Sequence, residues 1–456
     1  MSPHPSLRDI ALDLDAAHLG STIGRFLYTL DQPPALLGLG ESTHGVEAFL
    51  LLRNQLFGHL VEQHGYRSIA FESSCLAALV LDDYVRTGAG SLPDVLATGF
   101  SHGLGDPPAT RELIGWIRDY NADRDPGAQI RVYGFDAPTE VEAAPSPRAT
   151  LLAAHAYLAR YLPAERVPHD AQTLDTWLGD DAEWSNPAAM FDAAHSIGDT
   201  ERARRLRLAA DDVLQRCTIE APGLREVSSD NEFERAFLLA RTAVGLLRYH
   251  AAMATPGPER FATLLALRDA NGADNLLAIA RTEKHRGPCL VFAHNSHLQR
   301  AESAMSFAGA DQHWWSAGAL AASELGTEYA CIATDFDRRA DASAASEFDA
   351  AAARKAVAAA ARDAGVAVPQ WAAVESGETG TAVAERSDVP VPQEDTHSLQ
   401  TVLAEATTGR ALFPARVLAT VLDSDVRVRP SMDYRVAHFD PAQLDGVDAV
   451  AFIETI

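Results

Sequence analysis

Short apolar runs that end at a polar residue recur along this chain, and they alternate with segments in which apolar residues have helical spacing. The first run, residues 35–40, stops at Glu41, and helical spacing follows over residues 46–64. The second run, residues 66–71, stops at Glu72 and precedes another apolar helix. A strand, a helix and a second strand in this order form a βαβ unit, whose strands are parallel and buried. The pattern predicts an α/β protein with a parallel-type central sheet flanked by helices.

Further apolar runs extend the predicted sheet to about six strands. They cover residues 130–136, 289–294, 329–334 and 448–453. Residues 148–255 carry helical spacing without a strand, which predicts a helical subdomain inserted between two parts of the α/β core, residues 1–147 and 256–456. The region near 340–400 begins alanine-rich, which predicts a helix. From 366 onward it mixes glycine, proline and acidic residues, which predicts an irregular, lid-like excursion.

Composition excludes several classes of function. The formal net charge of −25 would repel a phosphate backbone, so we expect no nucleic-acid partner. No stretch of about 18 apolar residues occurs, and the first residues lack the segments of a signal peptide, so we expect a cytoplasmic protein without a membrane partner. The four cysteines (Cys75, Cys217, Cys289 and Cys331) lie far apart and form no C-x-x-C pair. This spacing favours buried free thiols over a zinc site or disulfides.

The polar residues that follow the predicted strands are candidates for an active site. In an open parallel sheet, ligands bind beyond the carboxyl ends of the strands. The residues at those ends are Glu41, His44, Glu72, Asp136, His294 and His297. Histidines that converge with carboxylates indicate acid–base or metal chemistry, because histidine titrates near neutral pH and a carboxylate can orient it. His44 is the leading candidate for the base, since it precedes a helix, lies three residues after Glu41 and adjoins Gly45, which permits close approach by a ligand.

Three features leave alternatives open. Arg53 lies in an otherwise apolar helix, so its side chain either reaches solvent or pairs with a buried acid such as Glu72. His294 and His297 form an H-x-x-H pair that could hold zinc with Glu41 or Glu72 as a third ligand, although this spacing is less specific than H-E-x-x-H on a helix. The chain lacks a G-x-S-x-G nucleophile elbow and the glycine-rich loops of nucleotide-binding proteins. These absences favour water activation by histidine without a cofactor, while a zinc ion at the H-x-x-H pair stays open.

Four motifs together resemble the erythromycin esterase family. They are G-E-S-T-H-G at 40–45, F-E-S-S at 71–74, G-F-D at 134–136 and A-H-N-S-H at 293–297. Arg53 falls where that family has an arginine. The segment 267–275 is similar to the family motif R-D-x-x-M-A-x-N, with Gly272 in place of the methionine. The resemblance extends from about residue 8 to the end of the chain, where the closing strand is also similar.

The resemblance implies an α/β core that carries a helical bundle and a metal-independent hydrolysis of a macrolide lactone ester. His44 would activate water. Glu41 or Glu72 would hold its ring, Arg268 or His294 would stabilise the oxyanion, and a neighbouring histidine would protonate the leaving alkoxide. The implied catalytic residues are His44, Glu41, Glu72 and His294, and the implied substrate-binding residues are Arg53, Asp136, Arg268 and His297.

Two functions fit this set of residues, and both act on a small-molecule substrate. The first is a carboxylic-ester hydrolase that cleaves a macrolide or another natural product. The second is a biosynthetic tailoring enzyme that uses the same His/Glu site for elimination, cyclisation or acyl transfer. The resembling family includes members linked to polysaccharide biosynthesis, so the motifs do not define the substrate. A purely binding protein is disfavoured, because it has little need for so many titratable groups at strand ends.

Overall fold

The apolar runs form the strands of one central sheet. The computed structural model describes residues 6–139, 144–307, 310–338, 397–430 and 437–456. The strands of the described residues are β1 (Leu12–Asp13), β2 (Leu36–Glu41), β3 (Ser68–Ser74), β4 (Arg131–Asp136), β5 (Cys289–His294), β6 (Glu302–Phe307), β7 (Ala310–Trp315), β8 (Tyr329–Arg338), β9 (Arg410–Pro414) and β10 (Ala449–Thr455). Eight of them form a sheet in the order β1-β9-β10-β8-β2-β5-β3-β4, and β6 and β7 form a separate hairpin.

All six predicted strands are present, and they are parallel to one another. This confirms the predicted α/β class with a mainly parallel sheet. Four strands were not predicted from the sequence. β9 forms an antiparallel edge with β1 and β10, and β6 pairs with β7 in the hairpin. β1 is only two residues long, too short to show the alternation that predicts a strand.

Helices cover both faces of the sheet. In the described residues they are α1 (Leu7–Ile10), α2 (Leu19–Thr29), α3 (Glu47–Gln63), α4 (Ala78–Thr87), α5 (Leu92–Gly99), α6 (Pro108–Asn121), α7 (Arg148–Tyr161), α8 (Ala171–Leu178), α9 (Asp181–Trp184), α10 (Ala188–Phe191), α11 (Glu201–Val227), α12 (Asp230–Met253), α13 (Arg260–Glu283), α14 (Asn295–Leu298), α15 (Ala317–Leu325), α16 (Leu399–Ala406) and α17 (Ala415–Val421). Short 3-10 helices lie at Ala164–Arg166, Ala193–His195, Gly326–Glu328 and Pro441–Gly446.

The core has two layers because successive side chains of a strand point to opposite faces. In β5, Leu290 and Phe292 pack into one buried apolar cluster with helices α2 to α6. Val291 and Ala293 pack into the other, together with α13, α15, α16 and α17. Both clusters are almost completely buried, as expected for a parallel sheet between two helical layers.

Residues 148–253 fold as consecutive helices, α7 to α12, around an apolar cluster of their own. The sequence predicted this helical character, whereas the division of the chain into domains at 147 and 255 stays a prediction. α13 is a single helix that packs against both α12 and the sheet. The predicted lid-like region lies outside the described residues except for its last residues, which begin α16.

Two further sequence expectations can be compared with the structure. The four cysteines are buried and unpaired, as predicted. Among the described helices, none combines the length and apolar character needed to span a bilayer.

Gly40 allows a contact between strands that are not neighbours. Asn295, just after β5, extends across Gly40 of β2 and forms two hydrogen bonds with the backbone of Thr334 in β8, one to its carbonyl oxygen at 2.8 Å and one from its N–H at 3.1 Å. A Cβ at position 40 would overlap the Asn295 amide and lie 3.1 Å from its Cα. Glycine at position 40 therefore lets one side chain from the end of β5 reach across β2 to β8.

We predict that Gly40→Ala lowers the free energy of unfolding by about 1–3 kcal/mol, because the added methyl group would overlap the Asn295 side chain, which its two hydrogen bonds to Thr334 hold in place. Gly58→Ala is the matched control. A Cβ at position 58, in the middle of α3, would have no heavy atom within 4 Å, so we expect the free energy of unfolding to rise by up to about 1 kcal/mol. Thermal and denaturant unfolding of both variants measures the difference, and equal stability of the two would contradict the role of Gly40.

Candidate active site

His44 and Glu41 form a hydrogen-bonded pair at the carboxyl end of β2. His44 Nδ1 lies 2.7 Å from Glu41 Oε1. The Glu41 side chain is buried, whereas 36% of the His44 side chain is exposed. Gly45 takes a φ of +72°, a conformation that favours glycine, as the chain turns from His44 into α3. Because the carboxylate accepts from Nδ1, it fixes the ring and leaves Nε2 free of hydrogen bonds to the described residues.

The electrostatic surroundings of this pair favour a protonated ring. Burial lowers the pKa of His44, but the carboxylates of Glu72 and Glu41 outweigh burial and raise the pKa to about 9. Burial also raises the pKa of the Glu41 carboxyl, against the effect of the adjacent imidazole. The pair therefore binds a proton tightly, and its neutral ring is a strong base.

Glu72, the second predicted carboxylate, lies at the centre of the site. Its Oε2 accepts the backbone N–H of His294 at 2.8 Å. Its Oε1 accepts from Arg268 Nη2 at 3.0 Å and lies 3.3 Å from His297 Nε2. Although burial opposes ionisation, His297, His44 and Arg268 hold the pKa of Glu72 well below its usual range. Glu72 is therefore a fixed negative charge that links three of the predicted site residues.

Arg268 and Asp136 form a partly buried, bidentate ion pair. Arg268 Nε lies 3.0 Å from both oxygens of Asp136, and Nη2 lies 2.6 Å from Oδ2. Burial lowers the pKa of Arg268, but Asp136 and Glu72 raise it overall, so the guanidinium stays charged. Both Asp136 oxygens are engaged, and Nη1 is the Arg268 nitrogen with no hydrogen bond to the described residues.

The two histidines of the H-x-x-H pair have different partners. His294 caps α14, where its Nδ1 lies 2.7 Å from Ser296 Oγ and accepts the Ser296 N–H at 3.3 Å. Its Nε2 lies 3.3 Å from the carbonyl oxygen of Ser42. Burial and the nearby His44 ring lower the pKa of His294 to about 3, so its ring is neutral.

His297, one turn further on, lies between two carboxylates. Its Nδ1 lies 2.8 Å from Asp269 Oδ1, and its Nε2 lies near Glu72. Burial lowers the pKa of His297, but Asp269 and Glu72 raise it overall. Since each nitrogen of the His294 and His297 rings already has a partner, the pair does not present two free nitrogens to a common ion in this geometry.

Arg53 is buried rather than solvated, with 2% of its surface exposed. This excludes the predicted alternative of a side chain that reaches solvent. Its guanidinium lies 5.4 Å from the ring centre of Phe71 and 4.9 Å from that of Phe292. Burial lowers the pKa of Arg53 to about 10, opposed by the carboxylates of Glu41 and Glu47. The carboxylates that favour the charged form of Arg53 are therefore Glu41 and Glu47, whereas the sequence had suggested a buried acid such as Glu72.

The structure adds residues that the strand-end argument did not select. Asp269 holds His297 and also accepts a hydrogen bond from Trp314 Nε1 in the β6–β7 hairpin. The Ser42 carbonyl accepts from His294. The sequence contained a signal for Asp269, because this residue directly follows Arg268 in the motif at 267–275. It contained no signal for Trp314 or the Ser42 carbonyl, because their contacts depend on the folded chain.

The predicted site residues other than Arg53 therefore lie close together. His44 and His294 have ring centres 5.4 Å apart, and Glu72, Asp136, Arg268 and His297 form one connected network beside them. Arg53 is not part of this hydrogen-bonded network and packs against the rings of Phe71 and Phe292.

Comparisons with known proteins identify similar sequences and structures. The erythromycin esterase family model matches residues 61–455. "Erythromycin esterase type I" of Escherichia coli is 30% identical over 103 residues, which are 23% of this chain. That match spans 24% of the relative's own length.

Solved structures share the fold across nearly the whole chain. A crystal structure of a Bacillus cereus protein has a TM-score of 0.65 at 17% identity and covers 98% of this chain and 96% of that one. A mutant of the erythromycin esterase EreC in its open conformation has a TM-score of 0.59 at 17% identity, with the same coverage of 98% and 96%. A succinoglycan biosynthesis protein has a TM-score of 0.58 at 15% identity and covers 99% of this chain and 95% of that one. At these identities the likeness shows the fold alone. The match of the family model over most of the chain establishes that this protein belongs to the erythromycin esterase family, a family of hydrolases.

Proposed function

We propose that this protein hydrolyses an ester or lactone bond of a macrolide-like natural product, with His44 as the base that activates water. The observation that carries the proposal is the pairing of His44 Nδ1 with the buried Glu41 carboxylate. This pairing directs the free Nε2 of a half-exposed ring away from Glu41. An oriented imidazole with one free nitrogen is the arrangement that general-base catalysis requires.

The proposed reaction begins when His44 Nε2 removes a proton from a water molecule as its oxygen attacks the carbonyl carbon. The resulting tetrahedral intermediate carries a negative charge on the former carbonyl oxygen. Arg268 Nη1 is suited to stabilise that charge, since Asp136 and Glu72 hold the rest of the guanidinium in place. Cleavage of the ester C–O bond then releases an alcohol and a carboxylic acid. None of these steps needs a metal ion or a cofactor.

Water is a better candidate for the nucleophile than a serine. Among the described residues, Ser296 is a serine whose hydroxyl contacts a site histidine, with its Oγ 2.7 Å from His294 Nδ1. That contact belongs to the cap of α14, and a ring whose pKa is about 3 is a weak base. We therefore propose hydrolysis without a covalent serine intermediate.

The substrate class is proposed from the family and from the relative in Escherichia coli that carries the name erythromycin esterase. Membership of a hydrolase family favours hydrolysis over the tailoring reactions considered from the sequence. The test is to incubate the protein with a panel of macrolides and simpler lactones and to follow, by mass spectrometry, the addition of one water molecule. No mass change across the panel would refute the proposed activity.

We predict that His44→Gln lowers kcat/KM by about 10²–10⁴-fold, the usual contribution of a general base. The fold should persist, because the side chain is partly exposed. His18→Gln is the matched control, since His18 also pairs through Nδ1 with an acid three residues away, Asp15, at 3.0 Å on an exposed part of the surface. Steady-state kinetics and thermal unfolding of both variants check the prediction, and activity retained in His44→Gln would refute the choice of base.

The pH dependence of kcat/KM should report the His44 pKa. A base acts when it is deprotonated, so we expect kcat/KM to rise with pH through an inflection at about 9. Glu41→Gln removes a negative charge that favours the imidazolium form, so it should move the inflection to lower pH. Initial rates across the neutral and alkaline range measure both curves. A wild-type inflection at the ordinary histidine value would contradict the proposed coupling.

Ser296→Ala distinguishes water from a serine nucleophile. If water attacks directly, kcat should fall by no more than a few fold, because the variant loses only a hydroxyl at the cap of α14. Mass spectrometry of the intact protein mixed rapidly with substrate should show no acyl adduct. Loss of activity in this variant, together with an adduct on the wild-type protein, would favour the serine route.

A further inference from the structure

A second histidine–carboxylate pair lies beside the strand that leads to His44. His438 Nδ1 lies 2.7 Å from Oδ1 of Asp335 in β8. The Asp335 side chain is fully buried, and 7% of the His438 side chain is exposed. No hydrogen bond joins His438 Nε2 to any of the described residues. The pair therefore repeats the arrangement of Glu41 and His44, with a buried acid on Nδ1 and a free Nε2.

Asp335 is held too firmly to reorient. Its Oδ1 also accepts the backbone N–H of Phe336 at 2.8 Å. Its Oδ2 accepts the backbone N–H of Phe439 at 2.8 Å and the Gln400 side-chain amide at 2.7 Å. With Nδ1 directed at this carboxylate, Nε2 faces away from Asp335.

The backbone beside His438 reaches the loop that carries His44. Ala437 donates its N–H to the carbonyl oxygen of Ser42 at 3.0 Å. The same oxygen lies 3.3 Å from His294 Nε2. Since β2 lies between β5 and β8 in the sheet, His294 flanks the His44 loop on one side and His438 flanks it on the other.

Ester cleavage requires a proton for the leaving oxygen, and the other histidines near His44 are poorly placed to give one. His294 directs one nitrogen to Ser296 and the other to Ser42. His297 lies between Asp269 and Glu72, with both ring nitrogens engaged. Beyond His44 itself, His438 is the histidine flanking this loop that keeps a free ring nitrogen among the described residues.

We propose that His438 is the general acid of the reaction and that Asp335 is its positioning residue. This inference rests on the proposed function. As the ester C–O bond of the tetrahedral intermediate breaks, its electron pair goes to the leaving oxygen, and His438 Nε2 gives that oxygen a proton. His44 holds the proton taken from water. Exchange with solvent then returns a proton to His438 and removes one from His44, so that the net reaction is ester plus water to acid plus alcohol.

The test compares two esters of the same acid, one with an alkyl alcohol and one with p-nitrophenol. An alkoxide is a poor leaving group that needs protonation, whereas p-nitrophenolate leaves without it. His438→Asn keeps an amide near the Nδ1 position for Asp335 and removes Nε2. We expect kcat/KM to fall by about 10²–10⁴-fold on the alkyl ester and by no more than a few fold on the p-nitrophenyl ester.

Two further variants make the result decisive. His169→Asn is the control, because His169 pairs with Asp212 at 3.0 Å in the helical region and has a positive φ of 59°, which asparagine tolerates. It should leave both rates unchanged. His438→Gln places an amide near Nε2 that cannot transfer a proton, and it should show the same selective loss on the alkyl ester even if His438→Asn folds poorly.

Each outcome separates this inference from the proposed function. Equal loss on both esters, or no loss on either, would overturn the acid role of His438 while hydrolysis by the wild-type protein stands. In the second case His44 would serve as both base and acid. A wild-type protein that cleaves neither ester nor any lactone of the panel would overturn the proposed function and the role of His438 with it.

Discussion

The buried network centred on Glu72 and Arg268 is the interaction on which the site depends. Arg268 comes from α13 and meets Asp136 from β4 and Glu72 from β3. His297, held by Asp269, contacts the same Glu72 oxygen as Arg268. Charged groups of this kind are costly to remove from water unless each finds a partner, so loss of one member would leave the others unpaired. The network therefore fixes the relative positions of two strands and two helices.

This network also controls the proton affinity of the base. Glu72 does not hydrogen-bond His44, yet its charge is a main reason that the pKa of His44 rises to about 9 despite burial. Glu41 adds a direct hydrogen bond to the same ring. In contrast, His294 lies next to His44 but stays neutral, because burial and the His44 charge outweigh the attraction of Glu72. Neighbouring histidines thus differ in protonation because their carboxylate partners differ.

Much of the fold followed from local patterns. The parallel strands were predicted because a strand buried on both faces is apolar throughout and short, and the helices around them have clear spacing. β9 and the β6–β7 hairpin were missed because their pairing with distant or edge segments leaves little trace in a short stretch of sequence. Asn295 illustrates the limit: the sequence shows a glycine at the end of the run 35–40, but only the structure shows an amide that crosses it to reach Thr334.

The sequence by itself determined which chemical groups stand at the carboxyl ends of the parallel strands, since strand direction and strand ends are local properties. That was enough to bring His44, Glu41, Glu72 and His294 together as candidates. Tertiary structure decided which acid holds which ring, because that choice depends on distances of a few ångströms between segments far apart in the chain. It paired Glu41 with His44, removed Arg53 from solvent, and placed His438 beside the same loop through contacts that no local pattern encodes.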